Sequence, residues 1–412
     1  MNAPAQAPAE QPDLPKLFSQ IAEQSSRILA QAMERQAKGG GTAFNDEMGI
    51  AKAFFELSSK MMADPFKMAE AQMNMWKDFV TLWQGSMMKM LGQPVDAVAA
   101  PDKSDRRFRD PHWEESFVFD YIKQSYLIAA RHLHHAVAEV EGLDQTTARK
   151  VDFYTRQYID ALAPTNFALT NPEVLKATVE SGGQNLVNGL KNLLADLERG
   201  KGQQVRIKMT DPKAFKLGEN IATTPGKVVF QTDLMQLIQY EPRTETVYKR
   251  PLLIIPPWIN KFYILDLREK NSFIRWAVEQ GHTVFVISWV NPDATHAAKS
   301  FEDYMFEGPL AALDAIEKAT GESAADVIGY CLGGTLLACT LGYLTAKKQA
   351  KRIASTTFFV TMIDFQEPGE LGVFTDETTV ANLEKKMTER GYLEGSEMGT
   401  TFNMLRANDL IW

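Results

Sequence analysis

The chain has 412 residues, 45% of them hydrophobic and 23% charged, with a formal net charge of −8. That is room for one large domain or two moderate ones, and the acidic balance without a long basic run argues against a nucleic-acid surface. Two cysteines, Cys331 and Cys339, exclude a disulfide framework and fit a reducing cytoplasm.

The N-terminal stretch MNAPAQAPAEQPDLPKL has neither the charged nor the apolar region of a signal peptide. No window reaches the ~18 apolar residues of a membrane span. Residues 1–14 have a disorder-prone composition, residues 15–36 a helical pattern that KGGGT (38–42) breaks, so 1–44 is expected as a disordered and helical tail. Residues 45–91 carry Phe55, Met62, Met73, Trp76, Phe79 and Trp83 at helical spacing. Methionine and tryptophan suit an adaptable surface. This face is either a helical hairpin packed on its own domain or a contact with a partner protein or lipidic surface.

A linker (92–105) leads to helices over 114–200, punctuated by Gly142, Pro164 and Gly182–Gly183, which makes 45–204 a helical domain. His132, His134 and His135 do not share one face, and no further ligand stands beside them at metal spacing. They read as surface or interhelical histidines. Beyond residue 205 the period becomes strand-like. KVVFQ (227–231) and LMQLIQY (234–240) predict a hairpin, and buried strands follow in 248–260, 282–293, 326–331 and 352–365. Helices are expected between them at 267–281, at 301–321 with a possible break at Gly308–Pro309, and at 331–348. This alternation predicts an α/β class with a mostly parallel sheet. A hairpin ahead of it is how an α/β-hydrolase begins, so 205–365 is expected to be the first part of such a core. Residues 366–412 add helical or irregular pieces without a further buried strand.

Residues 326–335, DVIGYCLGGT, place Gly329, Cys331 and Gly333 in the spacing G-x-C-x-G, where hydrolases carry G-x-S-x-G. In that motif a strand turns sharply into a helix and leaves the nucleophile exposed. The competing reading of Cys331 is a small core residue beside a glycine turn; its place at the end of the third buried strand favours the nucleophile. Helix N-termini favour negative charge, and hence a thiolate. The Leu332 N–H is positioned to donate to an oxyanion, with Ile259 or Asn260, in the loop after PLLII, as the second donor. A thiolate that attacks a thioester keeps the acyl group activated, which suits transfer from coenzyme A better than ester hydrolysis. Its base should be a histidine oriented by a carboxylate. Yet all six histidines (112, 132, 134, 135, 282 and 296) precede Cys331, whereas the hydrolase order is nucleophile, acid, histidine. The expectation is a chain truncated at its C-terminus, or one that is not an autonomous enzyme.

Five stretches, DRRFRDPHW (105–113), PPWINKFYILDL (256–267), EQGHTVFVISWVNPD (279–293), GYCLGGT (329–335) and LRANDLIW (405–412), resemble in order those of class I polyhydroxyalkanoate synthases, the bacterial poly(3-hydroxybutyrate) polymerases. Val290 departs from the arginine usual there. The resemblance, from about residue 95 onward, implies that Cys331 carries the growing polyester as a thioester. It implies that Leu332 and the Ile259–Asn260 loop form the oxyanion hole. Asp266 matches an acidic position near the substrate channel, with capping of the next helix as the alternative. Residues 366–412 match the start of a cap, and the family's catalytic acid and histidine lie beyond this chain. No metal or organic cofactor is implied, the coenzyme A thioester being a substrate. Implied partners are 3-hydroxyacyl-coenzyme A, the polyester granule surface with its coat proteins, and a second copy in a homodimer, in a granule-associated cytoplasmic setting. The alternatives are another cysteine acyltransferase or thioesterase of this fold, and a non-catalytic granule- or partner-binding protein.

Overall fold

The computed structural model describes residues 48–200, 206–211 and 213–411, so the expectations for the tail 1–44 lie outside the described residues. The chain divides into two units, one formed by residues up to 210 together with 406–412, the other by 211–405.

In the first unit, α1 (Ile50–Ala63), α2 (Pro65–Met90), α3 (Phe117–Ala138), α4 (Gln145–Ala161), α5 (Pro172–Glu180) and α6 (Gln184–Arg199) follow one another. Their boundaries are chemically marked. Pro65 opens α2 while the Asp64 carboxylate accepts from the Lys67 N–H, and Asp144 and Asn171 cap α4 and α5 in the same way. Ala53, Leu57, Val137 and Val151 form one small core, and Leu82, Ala99 and Ile128 another. The RRFRDPHW stretch supplies a polar anchor. Arg107 pairs with Asp105 and Asp160 and lies over the rings of Phe108 and Tyr126. Its guanidinium is held protonated by these carboxylates despite its burial. Asn408, from the LRANDLIW stretch, donates to the other oxygen of Asp160 at 2.9 Å.

The second unit holds a six-stranded sheet in the order β1-β2-β4-β3-β5-β6: β1 (Gly226–Gln231), β2 (Met235–Tyr240), β3 (Leu252–Ile255), β4 (Val284–Trp289), β5 (Ala325–Tyr330) and β6 (Ile353–Phe359). The β1–β2 hairpin is antiparallel and joins β4 antiparallel, while β3, β4, β5 and β6 are mutually parallel. This is the α/β-hydrolase arrangement expected from the sequence.

The central strands are apolar throughout because both faces are covered. Leu253, Ile255, Phe285 and Ile287 pack on one face against helices that carry Leu313, Ile316, Leu336 and Leu337. Leu252, Ile254, Val284 and Val286 pack on the other against α7 (Phe273–Glu279) through Ile274, Ala277 and Val278.

Three expected elements are narrower. β3 is confined to four residues because Pro251, Pro256 and Pro257 bound it and lack the N–H a ladder requires. α7 starts at Phe273, capped by Ser272, whose hydroxyl accepts from the Arg275 N–H, after two 3-10 turns at 262–265 and 269–271. β6 ends where Val360 turns to φ 47°. The helix expected over 301–321 is continuous through Gly308–Pro309, the possible break: α8 (Phe301–Met305) passes through a π turn (Phe306–Leu310) into α9 (Ala311–Thr320). The wider turn accommodates a proline that has no N–H to donate.

Asp266 is the buried charge of this unit, 1% exposed. Its carboxylate accepts from the Thr224 hydroxyl at 2.7 Å, the Thr224 N–H at 3.2 Å and the Ser272 hydroxyl at 2.6 Å. Burial, and after it the nearby Asp266 charge, pushes the Tyr240 phenol well above its ordinary pKa. Asp266 thus joins the segment before β1, the loop after β3 and the start of α7. Asp266→Ala strands the Thr224 and Ser272 donors, both under 9% exposed, and is expected to cost about 3 kcal/mol. A urea midpoint for sheet amide exchange equal to wild type would contradict this.

Candidate active site at the strand–helix elbow

Cys331 sits between β5 and α10 (Leu332–Ala346) with φ 53° and ψ −124°, a left-handed conformation that a non-glycine residue adopts at a cost. Ladder and helix bonds hold it there. Its N–H donates to the Phe359 carbonyl at 2.9 Å, and its own carbonyl accepts from the Gly334 and Thr335 N–H groups at 2.9 and 3.2 Å. The side chain is half-buried and unbridged. The strained turn of the sequence motif is therefore present, with sulfur at the head of a 15-residue helix.

The glycines act through close approach. A Cβ placed on Gly329 would lie 2.4 Å from the Cα of Gly334, so strand and helix touch backbone to backbone there. A Cβ on Gly333 would lie 2.0 Å from the Ile255 carbonyl oxygen and 2.7 Å from that of Pro256. The first turn of α10 thus presses on the C-terminal end of β3, which brings Cys331 and Leu332 beside the loop 256–260. Leu332 is the first residue of α10, where N–H groups have no helical acceptor. Ile259 is half-buried and Asn260 exposed on the adjoining loop. The structure brings elbow and loop together; Asp266, enclosed by Thr224 and Ser272, is engaged in holding the unit rather than in the capping bond of α7, which Ser272 makes.

Two residues not singled out in the sequence position this site. Trp289, at the end of β4, donates from its indole nitrogen to the Pro256 carbonyl at 2.7 Å. Its ring meets Trp258 edge-on at 6.1 Å and Tyr304 at 5.4 Å, and fits over Gly308, whose Cβ would lie 2.4 Å from it. Burial raises the Tyr304 phenol above its ordinary pKa. Thr361 donates to the Phe359 carbonyl at 3.1 Å, and Thr335 to that of Met362 at 2.7 Å, strapping the segment after β6 onto the elbow. The SWVNPD stretch contained Trp289, but its partner is 33 residues away; Thr361 carried no signal.

Beyond β6 lie a 3-10 turn (Gly369–Phe374), α11 (Glu377–Arg390) and α12 (Gly395–Leu405). Gly391, which ends α11 at φ 92°, comes against Ala294 and Ala297 in the loop after β4, with a built Cβ 3.3 and 3.2 Å away.

Four of the six histidines pair with carboxylates, and His135, exposed on α3, stands edge-on to His134 at 6.4 Å. His112, His132, His134 and His296 pair with Asp110, Asp78, Asp152 and Asp293. His282 packs on Tyr248 before β4, at the opposite end of the parallel strands from Cys331. Among the described residues no His/Cys/Asp/Glu group is arranged to hold a metal ion.

Residues 104–277 match the family model for the poly-beta-hydroxybutyrate polymerase (PhaC) N-terminus. A poly(3-hydroxyalkanoate) polymerase of Methylorubrum extorquens is 50% identical, over 90% of this chain and 61% of that one. The poly(3-hydroxyalkanoate) polymerase subunit PhaC of Rhizobium meliloti is 49% identical over 88% and 59%, and that of Cupriavidus necator 38% over 84% and 58%. The chain thus spans about three-fifths of the length of these curated relatives. A solved α/β hydrolase from Novosphingobium aromaticivorans aligns over 32% of this chain and 42% of its own at 18% identity, with a TM-score of 0.22, too low to bear on the fold, which rests on the strand order.

Gly333→Ala drives a methyl into the Ile255 carbonyl and is expected to destabilise by about 3 kcal/mol. Gly342→Ala on the same helix, with nothing within 4 Å of its Cβ position, is expected to be neutral or to stabilise by up to about 1 kcal/mol. Equal thermal shifts for the two variants would refute the contact.

Proposed function

We propose, from the premise that this chain belongs to the poly(3-hydroxyalkanoate) polymerase family, that it supplies the acyl-carrying cysteine of a polyester synthase. The substrate class is a 3-hydroxyacyl-coenzyme A, with short side chains by the class I resemblance. The Cys331 thiolate attacks the thioester carbonyl, and negative charge collects on the carbonyl oxygen. That oxygen lies within reach of the Leu332 N–H and a donor from the Ile259–Asn260 loop. Collapse expels the coenzyme A thiolate, which takes up a proton, and leaves the acyl group on sulfur. Chain growth follows when the hydroxyl of one unit, losing its proton to a base, attacks the thioester of another and returns a thiolate. The proposal assigns Cys331 the acyl-holding steps and assigns the base to none of the described histidines. The segment from Gly369 to Leu405 is assigned the cap that keeps water from the thioester, since polymerisation must outrun hydrolysis.

The observation that carries this reading is Cys331 in a strained elbow whose helix lies against the end of β3. Incubation with 3-hydroxybutyryl-coenzyme A is expected to add one 3-hydroxyacyl unit to the intact mass, mapped to Cys331. Cys331→Ala should lower acylation on the order of 10³-fold or more, while Cys339→Ala retains it. Acylation that survives in Cys331→Ala sinks the assignment.

A surface role is favoured by a second observation. Along α1 and α2, Phe55, Met62, Met73, Trp76 and Trp83 are largely exposed, Trp76 by 69% and Trp83 by 58%. Phe79, read onto the same face, instead turns inward against the Leu82–Ile128 core. An exposed aromatic and methionine stripe of this size suits an apolar partner; we assign it to the polyester granule surface or its coat proteins. Replacing Trp76 and Trp83 together by alanine is expected to reduce the granule-bound fraction in cells severalfold. An unchanged fraction would remove this role and leave the acyl-transfer proposal intact.

A further inference from the structure

The loop after β3 holds a cation that the proposed chemistry does not use. Lys261 follows Ile259 and Asn260 directly, and its ammonium donates to the side-chain oxygen of Asn291 in the loop after β4. Both loops leave the C-terminal ends of parallel strands, the rim on which Cys331 stands and where ligands of open α/β sheets bind.

The partner of Lys261 is a neutral amide. Among the described residues no carboxylate forms an ion pair with it, in contrast to Lys299 with Glu307 and Asp233, or Arg275 with Glu269 and Glu279. The acid closest in sequence to Asn291, Asp293, is occupied by Thr295 and His296 within its own capping box. The cations held by carboxylates, Lys299, Arg275 and Arg107, have raised pKa values, whereas partial burial lowers that of Lys261. An ammonium that has lost part of its water and gained no counter-charge is stabilised by an arriving anion. On a chain of net charge −8, such a cation at the rim also offsets the repulsion of an anionic substrate.

We propose that Lys261, held in place by Asn291, binds the phosphate groups of the coenzyme A thioester at the rim of the site. This rests on the synthase reading above. An ammonium with three donors can keep the Asn291 bond and still donate to phosphate oxygens. The lysine would orient the coenzyme A so that its pantetheine arm runs over the 256–260 loop toward Cys331. It is a binding group; the reacting atoms stay with Cys331 and the oxyanion donors.

The test is calorimetric titration of the 412-residue protein with free coenzyme A and with pantetheine, which lacks the phosphates. Lys261→Gln is expected to raise the Kd for coenzyme A at least tenfold, with Lys261→Arg within threefold of wild type. Added salt should weaken the wild-type complex more than that of Lys261→Gln. Asn291→Ala, which frees the lysine chain, is expected to give a smaller loss. An unchanged Kd in Lys261→Gln overturns the proposal, as does an equal loss for pantetheine, which would mean that the lysine only shapes the loop. Wild-type protein that does not bind coenzyme A overturns it too. The synthase reading is judged separately, by acylation of Cys331 from a phosphate-free N-acetylcysteamine thioester, so one can fail while the other stands.

Discussion

The contact on which the site depends is between two pieces of backbone: Gly333, in the first turn of α10, lies against the carbonyl oxygens of Ile255 and Pro256. No side chain intervenes, so the distance between the elbow and the loop after β3 is set by van der Waals contact. Close-packed interiors transmit such constraints with little slack. Because β3 pairs with both β4 and β5, this one contact also ties the loops of three strands into a common frame. Trp289 completes it by fixing the Pro256 carbonyl from the β4 side.

What the sequence made legible was governed by local rules. Alternating apolar runs and amphipathic segments are imposed by strand and helix geometry within a few residues, so the α/β order and the G-x-C-x-G elbow could be read directly. Side chains whose partners are remote in sequence could not. Asp266 bonds Thr224 from 42 residues away, and Asn408 reaches Asp160 across 248. Spacing carries no trace of either bond. The π turn at Phe306–Leu310 was missed for a different reason. Proline is ordinarily a helix breaker, but here Met305, Leu310 and Leu313 lie in one continuous core with Trp289, and tertiary packing overrides the local preference.

The two units are held by different kinds of interaction. The sheet unit has an apolar interior, with β3 buried along its whole length, and among the described residues it buries one carboxylate, Asp266, whose oxygens are satisfied. The helical unit has small apolar clusters and leans on polar anchors: Arg107 with Asp105 and Asp160, and Lys89 with Asp120. Such anchors are costly to break and weak as a net source of stability, but they fix geometry. In the Arg107 network they also hold Asn408, which bonds Asp160.

The strain at the elbow has a counterpart at the end of β6. β5 and β6 both end on a non-glycine residue in the left-handed region, Cys331 at φ 53° and Val360 at φ 47°, and the Cys331 N–H bonds the carbonyl just before Val360. For a β-branched residue this conformation is a genuine outlier, costing roughly 1–3 kcal/mol. Val360 gains nothing by burial, since it is 85% exposed. The neighbouring bonds offset that cost: Thr361 to the Phe359 carbonyl and Thr335 to Met362. Together they fix the turn after β6 against the first turn of α10. The paired outliers are therefore a property of how β5 and β6 end side by side, each strained turn held by bonds to the other strand or to α10.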